Sequence, residues 1–117
     1  MFVILRTIRK QMMNKKEKSE NLELIARFAK AMGHPTRMEI LAFLAEQDTC
    51  YFGDIHDVFP NAKATISQHL KELKSAGLIQ GEIEVPKVKY CINKENWELA
   101  KFLFADFFKS NVKSNCC

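Results

Sequence analysis

The sequence predicts a mainly α fold of the α+β class: a winged helix-turn-helix, with helices plus a two-stranded β-hairpin wing. Three observations carry this expectation. Apolar residues recur at helical spacing over residues 22–32 and again over 62–73. A tight Pro60-Asn61-Ala62 turn separates a short apolar segment from the second of these helices. After Gly77 the period changes from helical to alternating, as strands require. With 117 residues, 47% of them hydrophobic and 27% charged, the chain has the size and composition of one small globular domain.

Each element follows from local chemistry. Residues 1–18 are a basic N-terminal extension whose apolar front, Phe2, Val3, Ile4, Leu5 and Ile8, suits a partly helical leader. The winged helix-turn-helix domain is expected over residues 19–110, followed by a tail, 111–117, that carries a cysteine pair. Ser19 suits the N-cap of the first domain helix, in which Leu22, Ile25, Phe28, Ala29 and Met32 share a face. Gly33 ends it. Pro35 opens the next helix, where its missing N–H is one the helix leaves unpaired anyway. Ile40, Leu41, Phe43 and Leu44 carry that helix to about Glu46. "EQDTC" reads as a loop or a very short strand. A short helix from about Gly53 to Phe59, with Ile55, Val58 and Phe59 inward, precedes the turn. A longer helix follows it, from about Ala62 to Ala76. "LIQGEIEV" and "KVKYCIN" read as two strands joined near Val85-Pro86. Ile83, Val85, Val88, Tyr90 and Ile92 would share one face, and Glu82, Glu84, Lys87, Lys89 and Cys91 the other. A last helix spans about Lys94 to Lys109.

The net charge of +4 is unevenly placed. Residues 1–18 hold six basic residues and one acid, a charge of +5, which leaves 12 basic and 13 acidic residues, or −1, in the remaining 99. The domain body is no broad basic slab, so any nucleic-acid affinity must come from local placement. No run approaches the roughly 18 apolar residues of a membrane span. "MFVIL" is shorter than the apolar core of a secretory signal and lacks its flanks. The expected location is the cytoplasm, where thiols stay reduced, so a disulfide framework is the weaker reading of the four cysteines; no membrane partner is expected. No nucleophile–base pair, phosphate loop or carboxylate pair marks an enzyme.

Two helices joined by a short turn, the second longer and polar outward, are the unit that enters a DNA major groove. At ~100° per residue with Ile66 at the inward centre, Ala62, Leu70 and Leu73 also point inward. Ala64, Gln68, Lys71 and Ser75 point nearly opposite. Lys63, Ser67 and Lys74 flank one side, Thr65 and Glu72 the other. The candidate DNA-contacting residues of this helix are therefore Lys63, Ala64, Thr65, Ser67, Gln68, Lys71 and Lys74. Gln can bond adenine in bidentate fashion, Ser can bond bases or phosphates, and Ala admits a thymine methyl. Lys71 and Lys74, further along, fit phosphate contacts that position without specifying. An ordinary amphipathic surface helix would present a similar face; the preceding short helix and the following hairpin favour DNA. His69 lies ~60° from the inward centre and reads as a packed, hydrogen-bonded histidine rather than a base reader or metal ligand. Lys87 and Lys89 of the wing can meet phosphates, or they can pair with Glu82 and Glu84 across the strands.

Three stretches, "KAMGHPTRMEILAFL", "ATISQHLKELKSAGLIQ" and "KVKYCIN", make the chain resemble the ArsR/SmtB family of bacterial winged-helix repressors over about residues 20–108. The resemblance implies a homodimer on an imperfect palindrome of double-stranded DNA, repressing until an inducer binds. It places the base contacts on Lys63, Ala64, Ser67 and Gln68. It also implies dimerisation through the first and last helices, here through Leu22, Ile25, Trp97, Phe104, Phe107 and Phe108. The last helix supports a partner independently. Its Trp97, Leu99, Ala100, Phe102, Leu103, Phe104, Phe107 and Phe108 cover half or more of the circumference, beyond the roughly 100° stripe a helix buries on its own core. A winged-helix module that contacts only proteins, without specific DNA binding, is the alternative.

The resemblance also directs attention to effector sites. The family's thiolate site before the third helix needs Cys-x-Cys, and "CYFGDI" offers Cys50 alone. Its last-helix zinc site needs Asp and His, and this helix has Asp106 but no His. What remains is the Cys116-Cys117 pair. Adjacent thiolates chelate a thiophilic ion such as arsenite or antimonite, and a third thiolate, with Cys50 the nearest candidate, completes trigonal coordination. Oxidation of these thiols is the other signal they fit. Cys91, on a wing strand, looks remote. A mixed site of Asp54, His56 and Asp57 is a weaker candidate, because polar residues of a short helix are ordinarily solvated.

Overall fold

The computed structural model describes residues 15–53, 55–82 and 89–112. The expectations for residues 1–14, Asp54, Ile83, Glu84, Val85, Lys87, Val88, Cys116 and Cys117 fall outside them.

Helix α1 spans Lys15–Met32. Ser19 therefore lies inside it and does not cap it. Neither Gly nor Pro occurs between residues 15 and 32 to stop a helix at 19. Its Phe28 and Ala31 are buried. Helix α2, Pro35–Ala45, begins as expected with Pro35 in its first turn. The His34 side chain caps it: Nδ1 accepts from the Thr36 backbone N–H at 3.1 Å.

The segment expected as a helix from Gly53 to Phe59 is a single 3-10 turn, Ile55–Asp57. Gly53 sits at φ 130°, outside helical space, and Pro60 follows. So few residues cannot repay helix nucleation. Ile55 is fully buried and Phe59 packs on the core, but Val58 is 41% exposed, not inward. Helix α3, Lys63–Ser75, follows. It ends in a Schellman arrangement: the Leu78 N–H bonds the Leu73 carbonyl and the Gly77 N–H the Lys74 carbonyl, both at 3.0 Å. Gly77 takes the required left-handed conformation, φ 87°. A Cβ there would also come within 2.7 Å of the Asn96 amide nitrogen, which donates to the Gly77 carbonyl.

Strands β2, Ile79–Glu82, and β3, Lys89–Ile92, form the expected antiparallel hairpin in the register Ile79↔Ile92, Gln80↔Cys91, Gly81↔Tyr90 and Glu82↔Lys89. The sheet holds a third strand as well. Strand β1, Tyr51–Phe52, pairs antiparallel with the other edge of β3, Tyr51↔Tyr90 and Phe52↔Lys89, so the order is β1-β3-β2. An edge-to-face contact between Tyr51 and Phe43 of α2, centroids 5.0 Å apart, holds β1 in place, and Phe43 meets Phe59 likewise at 6.0 Å. Helix α4, Lys94–Phe108, is capped by Asn93, whose side chain accepts from the Asn96 N–H. Phe28, Ile40, Leu41, Ile55, Ile66, Leu70, Leu73, Leu78 and Tyr90 form the centre of one core.

Candidate nucleic-acid interface

Helix α3 is oriented by three fully buried side chains, Ile66, Leu70 and Leu73. That phase leaves Lys63, Ala64, Thr65, Gln68, Lys71 and Lys74 exposed and Ser67 half-buried. The outward face is the one expected from periodicity. Ala62 at the N-cap offers no side-chain acceptor, so the first-turn N–H groups remain available to an anion.

The outward side chains are partly preset. The Ser67 hydroxyl lies 3.1 Å from His56 Nε2, which ties the front of α3 to the 3-10 turn before it. The Gln68 amide donates to the Glu72 carboxylate one turn along, at 3.0 Å. Lys74 donates to the Gly81 carbonyl at 2.7 Å. It thus fastens the helix to the base of the wing, and two further ammonium N–H groups stay available. Exposed Lys89 sits over the Phe52 ring, 5.7 Å from its centroid, with Glu82 opposite it in register on β2. Lys87 lies outside the described residues.

His69 is buried, as its position on the helix implies. Arg37 Nε donates to His69 Nδ1 at 3.1 Å, and the His34 ring stacks at 4.4 Å, tilted. Burial, then the nearby His34 and Arg37, push the His69 pKa below its ordinary 6.5. The Arg37 guanidinium also reaches the Ala31 and Lys30 carbonyls at the end of α1, at 3.4 and 3.5 Å. His34, Arg37 and His69 thereby join the end of α1, the start of α2 and the middle of α3. Sequence reasoning missed the roles of His34, Arg37 and His56. Only His34 carried a local signal, a polar side chain immediately before a helix-opening proline.

The expectation for two cysteines is overturned. Cys50 and Cys91 are joined in a disulfide, Cα atoms 4.4 Å apart across 41 residues of sequence. Cys91 is not remote from Cys50, and it is buried. The cause is β1: extending its register by one residue sets Cys50 opposite Cys91. Cys50 in this state has no thiolate to offer a metal. Among the described residues, no group of three or more His, Cys, Asp or Glu could hold a metal ion. His56, of the mixed site considered with Asp54 and Asp57, bonds Ser67 instead.

The residues expected at a subunit interface lie on α1 and α4, which pack together. Leu22 is 52%, Phe107 49% and Phe108 75% exposed. Ile25, Trp97 and Phe104 are half-buried against the core. No described helix is long and apolar enough to cross a membrane.

Residues 32–82 match a family model described as a helix-turn-helix domain. An uncharacterised helix-turn-helix-type transcriptional regulator of Methanocaldococcus jannaschii is 40% identical over 65 residues, 56% of this chain and 73% of that protein. The helix-turn-helix-type transcriptional regulator YgaV of Escherichia coli K12 is 30% identical over 73 residues, 62% of this chain and 74% of that protein. Among solved structures, the transcriptional repressor BigR from Xylella fastidiosa superposes with a TM-score of 0.57 at 18% identity, covering 86% of this chain and 100% of that one. An ArsR-like transcriptional regulator from Rhodococcus sp. RHA1 gives 0.54 at 20% identity, covering 75% and 86%. These two share the fold.

Proposed function

The chain belongs to the ArsR/SmtB family of helix-turn-helix transcriptional regulators, and from that premise we propose that it is a homodimeric, cytoplasmic, sequence-specific repressor that reads an imperfect palindrome. The observation that carries this reading is the outward face of α3. Three buried apolar side chains hold the helix, while Lys63, Ala64, Thr65 and Gln68 are exposed at its front half, with half-buried Ser67 beside them. Ser67 and Gln68 read base edges. Lys63, Lys71 and Lys74 neutralise phosphates, with Lys87 and Lys89 of the wing as lesser contributors. Dimerisation through α1 and α4 would set two such helices about 34 Å apart, one turn of DNA.

Footprinting on the DNA upstream of the protein's own gene, followed by titration at several salt concentrations, tests the assignment. The wild type should lose affinity steeply as salt rises. Ser67→Ala with Gln68→Ala should weaken specific binding about thirtyfold or more, since each good base contact supplies about 1–3 kcal/mol of discrimination. Unchanged affinity would mean that the wrong helix has been assigned. Salt-independent or absent DNA binding would favour a protein-contacting module.

The proposed release signal acts on the tail. Cys116 and Cys117 form a dithiol suited to arsenite or antimonite, without Cys50, which is engaged by Cys91. Arsenite titration of the DNA complex should release the wild type and leave Cys116→Ser/Cys117→Ser bound. An equal response in both removes the tail from the mechanism.

A further inference from the structure

The Cys50–Cys91 disulfide joins the two segments that flank the reading helix. Cys50 leads directly into β1, and β1 into the 3-10 turn whose His56 bonds Ser67 of α3. Cys91 lies on β3 opposite Gln80. The next pair along, Tyr90 and Gly81, includes the carbonyl that takes the Lys74 ammonium. Both hydrogen-bonded anchors of the α3 surface are therefore within a few residues of one covalent link. Strand β1 has only two residues. A strand that short is marginal by backbone pairing alone, so the cross-link adds directly to the Tyr51–Phe43 contact that holds it.

The pair is also reachable. Both cysteines line an open groove of about 750 Å³, together with Thr49, Asn93, Lys94 and Trp97. Cys50 is partly exposed while Cys91 is buried, so a small thiol entering the groove meets the Cys50 sulfur first.

We propose that Cys50 and Cys91 are a reversible thiol–disulfide site, exchanging with low-molecular-weight thiols and disulfides, whose state is passed to the reading helix through β1 and the His56–Ser67 hydrogen bond. In reduction, a small thiolate attacks Cys50 Sγ. The Cys50–Cys91 bond breaks and its electron pair leaves on Cys91 Sγ, which takes a proton. A second small thiol attacks the mixed disulfide on Cys50, leaving Cys50 as a thiol and releasing the small disulfide. Two electrons pass from two small thiols to the protein. Oxidation runs the same steps backward, with the small disulfide as oxidant. The disulfide form is the tighter DNA binder, because it holds β1 and the wing base in place before DNA arrives. That last step alone rests on the DNA-binding reading.

The test equilibrates the full chain with glutathione mixtures from fully reduced to fully oxidised. Differential alkylation with mass spectrometry follows Cys50 and Cys91 individually. Amide hydrogen exchange over residues 55–67 and DNA affinity are measured in both states. Cys50 and Cys91 should convert together. Reduction should speed exchange at His56 and Ser67, and should weaken DNA binding about fivefold or more, the usual lower range of coupling between two sites. Cys50→Ser/Cys91→Ser should lose the redox response. Failure to interconvert, identical exchange in both states, equal DNA affinity in both states or a full response in the folded double variant would each overturn the proposal. If that variant fails to fold, the two states of the wild type decide. If neither state binds DNA, the DNA-binding reading fails separately, and the exchange comparison still decides whether the cysteines act on α3.

Discussion

His69 shows how one buried side chain can make stability depend on pH. Its Nδ1 accepts from Arg37, so a proton on that nitrogen would remove the hydrogen bond and set a second cation beside the guanidinium. Burial is the larger penalty on the charged form, with His34 and Arg37 adding to it. The folded protein therefore binds this proton more weakly than the unfolded chain. Between the two pKa values the unfolded state carries more protons, so stability falls as the pH falls. The loss should begin as pH drops through the ordinary value of 6.5 and level off once the folded state is protonated too. Urea midpoints measured between about pH 7.5 and 5 should decline for the wild type. His69→Gln, which cannot charge, should show a shallower decline. A parallel decline would assign the effect to other groups.

At the scale of elements, the joint between α3 and the wing is the part of the site that tolerates least change. Lys74 reaches across to the Gly81 carbonyl, and Gly81 itself takes φ 131° within β2. A Cβ at that position would strike the Lys89 carbonyl oxygen of β3. The positive φ and the clash with rigid backbone act together, so Gly81→Ala should cost about 2 kcal/mol or more. Thermal unfolding measures the loss, and faster amide exchange in β2 and β3 would locate it at the hairpin. The hairpin itself was legible in the alternation after Gly77. The third strand was not, because two residues are too few to show a period, and β1 is held by aromatic contacts to α2 and by Cys91.

At the scale of the whole molecule, α4 has one face in the core and another in solvent. Ala100 and Leu103 are buried, while Leu99, Phe107 and Phe108 are exposed, as is Leu22 on neighbouring α1. Phe107 and Phe108 also stack edge to face, centroids 5.2 Å apart, and present an apolar knob. A second copy of the chain would cover it in the proposed dimer. Phe107→Glu/Phe108→Glu should sediment as a monomer that still unfolds cooperatively, since both residues are exposed in the single chain, with a midpoint that no longer depends on protein concentration. Its affinity for a palindromic site should drop about a hundredfold or more, because the second half-site is no longer bound within the same complex. A dimer that survives this variant would place the interface elsewhere.

The sequence by itself determined the helices, their order, the hairpin and the face of α3 that turns outward. Those features follow from spacing within one segment, where apolar period and turn chemistry act locally: Ile66, Leu70 and Leu73 point inward because they are three and four residues apart. Helix lengths were less legible. Ser19 proved to be inside α1, where no Gly or Pro interrupts residues 15–32, and the segment around Val58 closed into one turn between Gly53 and Pro60. Only the tertiary structure decided that Cys50 meets Cys91, that Arg37 meets His69 across 32 residues, and that His56 meets Ser67. Each of these contacts requires two distant segments to be aligned by the core and the sheet, and no period within either segment encodes its partner.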